Sequence, residues 1–347
     1  MAVLMPWFAA SCRIDGRRSP ARSVPRSICW RSWVASASYR SMRVACLYRS
    51  ICSVSESVPV GHCAADCCCA GRCAGVSASA ARPAMPLSVF IVDAFTSVPF
   101  KGNPAAVVPL QAWLPDALMQ AIAGENNLSE TAFFVRDADG VFDIRWFSPL
   151  KEIGFCGHAT LASAHVIASQ RLAPFPLRLR AAAVGELGVE RLDDGSFEMR
   201  FPNQAPALLA SVPQALLDAL SIAPQAVYAN QQAYIAVYAD ERQVRALVPD
   251  LARMLALAPR DVSVTAPGSS HDFVSRYFWP ANGGTEDPVT GSIHAALAPL
   301  WAQALGKTQL TALQASARGG ELGCRVEAHH VHVRGSAVQY LHGTIAL

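Results

Sequence analysis

Alternating apolar and polar positions after residue 85 predict several β-strands. SVFIVDAF (88–95), NPAAVVPL (103–110), TAFFV (131–135) and FDIRWF (142–147) have strand character. PDALMQAIAGE has helical spacing, with Pro115 and Asp116 at its start and Gly124 near its end. LRLRAAAVGELGVERLDDGSFEMRF predicts strands joined by a tight turn at Asp193-Asp194-Gly195. Strands with few helices indicate an α+β protein with mixed sheets.

One pattern occurs twice along the chain, as RWFSPLKEIGFCGHATLASAHVI and as RYFWPANGGTEDPVTGSIHAALAPLW. Both copies run Arg, aromatic, Phe, any residue, Pro, a Gly-containing loop and an Ala-rich helix. The repeat predicts two similar domains related by an approximate twofold axis. We expect them at 85–202 and 203–347, with the boundary near FPNQAP and the last strand as a candidate to return to the first domain.

The two repeated helices are predicted to begin at Gly157-His158 and at Gly291-Ser292. The first turn of a helix leaves backbone N–H groups without partners, and its dipole favours negative charge. Two such starts facing each other across a cleft would form a site for a carboxylate or an enolate. Glycine at each start would let a ligand approach the backbone closely.

Residues 1–84 differ in composition from the rest of the chain. They hold 11 arginines, no lysine, three acidic residues and nine of the 11 cysteines. For the cluster HCAADCCCAGRC (Cys63, Cys67, Cys68, Cys69 and Cys73) a zinc site and a disulfide framework are weaker readings, because no second ligand pair follows. We interpret the tract as a non-native or disordered leader read from a wrong start, with the true start at Met85. A transit peptide is the alternative.

The remainder of the chain carries 18 basic and 23 acidic residues. This net negative charge argues against nucleic acid as a partner. The apolar opening MAVLMPWFAA is too short to span a bilayer, and no membrane association is predicted. Only Cys156 and Cys324 occur after residue 84, which favours a reducing, cytoplasmic location over a disulfide framework.

Four blocks, DAFTSVPFKGNPAAVV, NNLSETAFF, RWFSPLKEIGFCGHATLASAHV and EDPVTGSIHAALAPLW, resemble successive signatures of the PhzF family of the diaminopimelate-epimerase-like superfamily. The resemblance runs from Met85 to the C-terminus. It implies two pseudo-symmetric domains, each a mixed, barrel-like sheet around a central helix, with the active site between them. It also implies a homodimer, a small carboxylate-bearing substrate, and isomerase catalysis without a metal or organic cofactor.

The resemblance assigns catalytic positions to Glu130, His158, Asp287 and Ser292, and we predict substrate contacts for Gly157, Gly291, Asn103 and Thr290. An isolated Glu is more often a surface charge. In an apolar cleft, however, a carboxylate becomes a stronger base and can move a proton between two carbons. His158 and Ser292 would bind the substrate carboxylate or enolate, and Asp287 an amine, a hydroxyl or the His158 ring. Taken alone, His158 and Asp287 fit structural roles.

Two alternatives to this isomerase remain open at this point. The block FCGH resembles the first cysteine block of proline racemases, but Thr290 stands where a second cysteine would be expected. A two-thiol racemase is therefore disfavoured, whereas a one-base epimerase or dehydratase using Cys156 stays open. The second alternative is a binding or interaction protein of the same fold without turnover. His330 and His332 have a zinc-binding spacing on one strand face, but no third ligand is evident, so we predict no metal site.

The predicted start at Met85 can be tested by mass spectrometry of the protein isolated from its native host. We expect the N-terminal peptide to begin at or after Met85. A tryptic peptide from residues 1–84 would contradict the prediction.

Overall fold

The computed structural model describes residues 86–347. The predictions for residues 1–84, including the cysteine cluster and the start at Met85, lie outside the described residues.

The first half contains eight strands and two helices. The strands are β1 (Leu87–Ala94), β2 (Asn103–Leu110), β3 (Glu130–Arg136), β4 (Phe142–Phe147), β5 (Glu152–Ile153), β6 (Leu177–Ala181), β7 (Gly185–Arg191) and β8 (Phe197–Pro202). The helices are α1 (Asp116–Asn126) and α2 (Gly157–Ser169). The strands predicted from alternation are confirmed, and Gly195 at a φ of 84° forms the predicted turn between β7 and β8.

The second half contains ten strands and four helices. The strands are β9 (Ala207–Leu208), β10 (Ala226–Ala229), β11 (Ala233–Val237), β12 (Asp261–Pro267), β13 (Phe273–Phe278), β14 (Glu286–Asp287), β15 (Gln309–Gln314), β16 (Gly320–Val326), β17 (His330–Gly335) and β18 (Ala337–Ile345). The helices are α3 (Gln214–Ala219), α4 (Glu241–Ala246), α5 (Leu251–Met254) and α6 (His294–Leu305), with 3-10 turns at Leu255–Leu257 and Pro280–Asn282. Within residues 86–347, no helix is long and apolar enough to cross a membrane.

The strand pairings of the two halves follow the same order. In the first half β1–β2 is antiparallel, β2–β3 parallel, β3–β4 antiparallel, β4–β6 parallel, and β6–β7–β8 antiparallel. In the second half β10–β11, β11–β12, β12–β13, β13–β15 and β15–β16–β17 repeat this series. The pseudo-symmetry implied by the sequence repeat is therefore present in the strand topology.

The two halves join through hydrogen-bonded strands. β8 pairs antiparallel with its counterpart β17, where Val331 lies opposite Phe201. β18 follows β17 and pairs with β1, and β9 follows β8 and pairs with β10. Thus β18, which follows the last strand of the second-half series, pairs with a strand of the first half. In the same way β9, which follows the last strand of the first-half series, pairs with a strand of the second half. The division into domains at residue 202 remains a prediction, supported by this repetition.

The helices α2 and α6 lie inside the sheets. Ten of the 13 residues of α2 and seven of the 12 residues of α6 are buried. α2 contacts β1, β2, β3, β8 and β18, while α6 contacts β15, β16 and β17. A helix that is apolar on all sides is stable only in such an interior.

One predicted helix is confirmed and one predicted helix start is wrong. α1 ends at Asn126, two residues after Gly124, and Asn127 caps it in the left-handed conformation at a φ of 48°. α6 begins at His294 rather than at Gly291-Ser292. The preceding residues form a tighter turn, in which His294 N donates to Gly291 O at 3.2 Å, so the first backbone bonds span three residues.

Gly335 provides a test of the packing between the halves. A Cβ there would collide with Cδ1 of the buried Phe95 ring and lie 2.9 Å from its Cε1. We expect Gly335→Ala to lower the free energy of unfolding by about 1–3 kcal/mol. Thermal unfolding should show a lower Tm. The matched control is Gly188→Ala in β7, where a Cβ meets nothing within 4 Å. Equal Tm values for the two variants would contradict this packing.

Candidate active site

Asn103 and Glu130 begin neighbouring parallel strands, so both lie at the same end of these two strands. β2 starts at Asn103 and β3 at Glu130, with Ala105 opposite Glu130 in the register. The left-handed cap at Asn127 turns the chain from α1 into β3. The cap therefore determines where the Glu130 side chain enters the interior.

Three of the four predicted catalytic side chains meet in one buried cluster with Asn103. Glu130 Oε2 lies 3.0 Å from His158 Nε2. Asn103 Nδ2 lies 3.1 Å from His158 Nδ1 and 2.7 Å from Asp287 Oδ1. Each of these residues is at most 9% exposed. The surface reading of Glu130 is therefore wrong, because its 5% exposed side chain faces a histidine inside the protein.

The Asn103 amide has more neighbours than hydrogens. Its Nδ2 carries two hydrogens and lies within 3.1 Å of Asp287 Oδ1, Val289 O and His158 Nδ1. The two oxygens are the closer acceptors, at 2.7 and 2.9 Å. His158 Nδ1 is left to pair with Cys156 Sγ at 3.4 Å, as acceptor from the thiol or as donor to the sulfur.

The cysteine and histidine of this cluster have shifted acidities. Burial, reinforced by the negative charge of Glu130, raises the pKa of the Cys156 thiol to about 11. Burial lowers the pKa of His158, but the sulfur of Cys156 and the Glu130 carboxylate outweigh it and hold this pKa well above its usual value. At neutral pH Cys156 is therefore a thiol, and the Glu130 carboxylate beside Nε2 favours a protonated His158 ring.

Asp287, in the second half, accepts hydrogen bonds from both halves. Burial raises its pKa to about 6, although the His158 charge and the Thr290 hydroxyl act in the opposite direction. Thr290 Oγ1 donates to Asp287 Oδ2 at 2.5 Å, and Asn103 donates to Oδ1. The carboxylate is thus fixed by one residue from each half.

Gln314 is a site residue that the sequence reasoning missed. Its Nε2 donates to Asp287 O at 2.8 Å, and its Oε1 accepts from Thr290 N at 2.8 Å. It fixes the backbone on both sides of the Asp287 to Thr290 turn. The available signal was the alternation in β15, where Leu310, Ala312 and Gln314 all fall on the buried face. A polar residue at such a position needs an internal partner.

The two repeated glycines lie where the start of α2 meets the turn before α6. A Cβ on Gly157 would lie 3.7 Å from Gly291 Cα and 3.7 Å from Ser292 N, which is ordinary van der Waals contact. On the other side of Gly291, a Cβ would lie 3.0 Å from Cζ of Phe95. Gly291 is therefore the more tightly enclosed of the two positions.

Ser292 lies apart from the acid-base cluster, at a cavity. Its Oγ accepts from Gln232 Nε2 at 2.9 Å, and the same amide contacts Tyr277 OH at 3.0 Å. The cavity has a volume of about 700 Å³, with Phe155, Arg200, Phe201, Gln232, Ser292 and His330 among its lining residues. A cavity of similar volume, about 730 Å³, around Lys307 and Arg325 contains none of the predicted site residues. Volume alone therefore does not select the site.

Among the described residues, one group has the composition of a metal site. Ligand atoms of Glu130, Cys156 and His158 all lie within 4.8 Å of one another. In the HHVHV segment, His332 Nδ1 lies 2.9 Å from Glu198 Oε1 on β8. His330 and His332 are both half-buried on β17. The expectation that they bind no metal stays a prediction.

The sequence profile described as "Phenazine biosynthesis-like protein" matches residues 92–343. A Pseudomonas aeruginosa protein described as an uncharacterized isomerase is 50% identical over 263 residues, covering 76% of this chain and all of the relative. A crystal structure of a PhzF-family phenazine biosynthesis protein from Enterococcus faecalis superposes with a TM-score of 0.72 at 41% identity, covering 76% of this chain and all of that one.

A more distant structure shows the breadth of the fold. A "Predicted Epimerase" from Pseudomonas aeruginosa superposes with a TM-score of 0.58 at 20% identity, covering 75% of this chain and 99% of that one. The mixed sheets, the pseudo-symmetric halves and their buried helices define an epimerase-like α+β protein. Within that class, the chain belongs to the PhzC-PhzF family of phenazine biosynthesis-like proteins.

The buried Asp287 gives a pH-dependent prediction. Its native pKa of about 6 lies above the ordinary 3.8, so the native state binds the proton more tightly and gains stability at low pH, which is lost as the pH rises through 6. We compare the free energy of unfolding of Asp287→Asn with that of wild type. The difference, variant minus wild type, should be about 2 kcal/mol more positive at pH 7 than at pH 4.5. Urea unfolding at both pH values measures this difference.

The matched control is Asp116→Asn. Hydrogen bonding and charge attraction from Arg145 lower the pKa of Asp116, so its stabilising contribution is present at pH 7 and lost at low pH. The control should therefore show a difference of the opposite sign. If Asp287→Asn behaves like the control, Asp287 is not a buried acid of raised pKa.

Proposed function

We propose that this protein is an isomerase that moves a proton between two carbons of a small carboxylate-bearing metabolite, without a cofactor. Glu130 is the single acid-base group that takes up the proton and returns it. Family membership and the relative described as an isomerase support the reaction class. The identity of the residues that act on substrate rests on the geometry of the buried cluster.

The observation that carries the proposal is the placement of the Glu130 carboxylate. Its Oε2 is buried and lies 3.0 Å from His158 Nε2, in an ion-pair contact whose angle does not satisfy a hydrogen bond. A buried carboxylate that is only partly satisfied is costly in a structure that has no use for it. A proton-accepting role provides that use.

The reaction follows from the chemistry of a carbon acid. Glu130 Oε2 removes a proton from a carbon activated by the neighbouring unsaturated system, and the C–H electron pair passes into that system. The carboxylic acid thus formed delivers the same proton to another carbon on the same face. No electron acceptor is needed, because substrate and product are isomers. A carboxylate can serve both carbons because its oxygens swing about one bond.

His158 and Asp287 prepare the site for the charge that develops. A protonated His158 ring beside Glu130, favoured by its raised pKa, would stabilise a nearby anion in this buried site. Asp287 accepts hydrogen bonds and can receive an amine or hydroxyl of the substrate. Because Asn103 contacts both residues, the relative position of these two groups depends on one amide.

The substrate carboxylate is proposed to bind at the start of α2 and the turn before α6. The N–H groups of the first turn of α2 would attract an anion, and the Ser292 hydroxyl adds a donor at the adjoining cavity. Gln232 already donates to Ser292 Oγ, so the hydroxyl hydrogen is available to a ligand.

The alternative in which Cys156 is the base has less support. A thiol with a pKa of about 11 is protonated at neutral pH and is a poor base before deprotonation. Thr290, at the position of a second racemase cysteine, donates its hydroxyl to Asp287. Cys156 and Thr290 therefore do not provide the two opposed thiols of a racemase.

We also propose a cytoplasmic homodimer with no nucleic-acid or membrane partner. Both Cys156 and Cys324 are free, which suits a reducing compartment. Phe100 and Tyr340 are exposed and in edge-to-face contact near the edge strand β18, and offer an apolar contact surface.

Glu130→Gln is the direct test. The amide keeps the shape of the side chain but cannot accept a proton from carbon, so we expect isomerisation to fall by about 100- to 10,000-fold. Wild type and variant are incubated in D2O with a library of small carboxylates, and deuterium incorporation at carbon is measured by mass spectrometry. Glu125→Gln, the same change at an exposed residue of α1, should keep full exchange.

The outcomes separate the hypotheses. Exchange that survives Glu130→Gln rules out Glu130 as the base and returns attention to Cys156. If wild type exchanges no member of the library but binds one of them, a binding protein without turnover is favoured.

A further inference from the structure

Asp261, the first residue of β12, is the counterpart of Glu130 in the second half. β12 takes the place of β3 in the series of strand pairings, and each pairs antiparallel with the strand that carries the repeated Arg-aromatic-Phe sequence. In both halves the residue after this carboxylate lies opposite the Phe of the repeat, so the registers agree. Ser292 follows the repeated glycine in the second half, as His158 does in the first.

The two carboxylates are connected differently to these polar side chains. In the first half the carboxylate and the histidine are in direct contact at 3.0 Å. In the second half two further side chains stand between Asp261 and Ser292. Tyr277 OH donates to Asp261 Oδ2 at 2.7 Å. Gln232 Nε2 lies 3.0 Å from Tyr277 OH and 2.9 Å from Ser292 Oγ. Asp261, Tyr277, Gln232 and Ser292 together form the Asp261 network.

The direction of each hydrogen bond in the Asp261 network follows from the carboxylate. Its oxygens face two donors, Tyr277 OH and Asn282 Nδ2, as expected for a group that only accepts. The single hydroxyl hydrogen of Tyr277 is thereby taken, so the oxygen of Tyr277 can only accept from Gln232. The end of the Gln232 amide that faces Tyr277 is therefore the nitrogen, and its other hydrogen goes to Ser292 Oγ.

Ser292 is consequently left as a donor. Its oxygen accepts from Gln232, and residues 86–347 provide no other hydrogen-bond partner for it. Both Ser292 and Gln232 line the cavity of about 700 Å³, so a ligand there meets the hydroxyl hydrogen.

We propose that Asp261, acting through Tyr277 and Gln232, fixes Ser292 as a hydrogen-bond donor and so selects substrates that present an acceptor, such as a carboxylate, to the cavity. Asp261 and Tyr277 are positioning residues, because they act on the substrate only through the other two. Tyr277 is 3% exposed and lies opposite Asp287 in the pairing of β13 with β14, so the network is anchored beside the buried cluster.

Asp261→Asn allows the network to reverse. The new amide can donate to Tyr277, whose hydrogen then turns to Gln232, and the Gln232 amide can rotate to present its oxygen. Ser292 would then donate to Gln232 and offer only lone pairs to the cavity. Charge alone predicts the opposite result, because removal of a negative charge two hydrogen bonds from Gln232 would strengthen the binding of anions.

The test measures binding of the small carboxylates used for proton exchange, benzoate among them, and of the amidine counterpart of each. An amidinium has the planar shape of a carboxylate but carries only donors. The ratio of the Kd of amidine to that of carboxylate, from isothermal titration calorimetry on the full chain, should fall by about 10- to 100-fold in Asp261→Asn. Asp193→Asn, the same change at an exposed turn residue, should keep the wild-type ratio.

Two results would overturn the proposal in this test. The first is a ratio in Asp261→Asn that is unchanged or raised, or that falls no further than in Asp193→Asn. The second is wild type that shows no preference for any of the carboxylates over its amidine. A general loosening of the structure would weaken both ligands and leave the ratio unchanged.

A second variant and a direct observation guard against loss of folding. Tyr277→Phe should also lower the ratio, because Gln232 can then turn either end to Ser292, with a circular dichroism melting curve that remains cooperative. Its matched control is Tyr234→Phe on β11, whose hydroxyl lies 3.4 Å from Arg260 Nη1. Neutron diffraction from deuterated wild-type crystals should show the Tyr277 deuterium directed at the Asp261 carboxylate. A Tyr277 deuterium directed at Gln232 would overturn the proposal.

The selection of a carboxylate substrate rests on the proposed function, whereas the direction of the network does not. Binding and neutron diffraction need no turnover. If wild type exchanges no proton but the ratio falls in Asp261→Asn, the proposed reaction is removed and the network is supported. If Glu130→Gln abolishes exchange but the ratio is unchanged in Asp261→Asn, the reaction stands and this inference is overturned.

Discussion

The side-chain amide of Asn103 is the interaction on which the site depends. This amide is fully buried and belongs to the first half, yet it donates both of its hydrogens to Asp287 and Val289 of the second half. The same nitrogen lies against His158, so the amide determines how far apart the histidine and the aspartate can be. A buried donor that lost these acceptors would carry a desolvation cost of about 1–3 kcal/mol. These hydrogen bonds therefore favour the observed contact between the two halves.

The buried polar cluster is surrounded by a closely packed core. α2 and α6 are surrounded by strands, and Phe95 fills the space behind both Gly291 and Gly335. Close packing of this kind transmits small shifts instead of absorbing them. The positions of the polar atoms are consequently set by apolar residues that never touch a substrate.

Much of the architecture could be predicted from the sequence. Period-two alternation located most strands of the first half, and the repeated pattern around CGHAT and TGSIH indicated two related halves. The start of α6 was less accurate, because a three-residue turn precedes the helix and has no periodic signal. Glu130, His158 and Asp287 could be grouped only through the family resemblance. Gln314 and Gln232 escaped notice, because they act through contacts distant in sequence.

The pairing of β18 with β1 has a consequence for the order in which the gene can encode the two halves. Leu87 lies opposite Ile345, so the first and last strands of the described chain end side by side. A short linker could join them, and a new opening between β8 and β9 would then exchange the order of the two repeats while keeping every strand pairing. The fold therefore specifies how the halves meet but leaves their order along the polypeptide free, as expected for a circularly permutable protein.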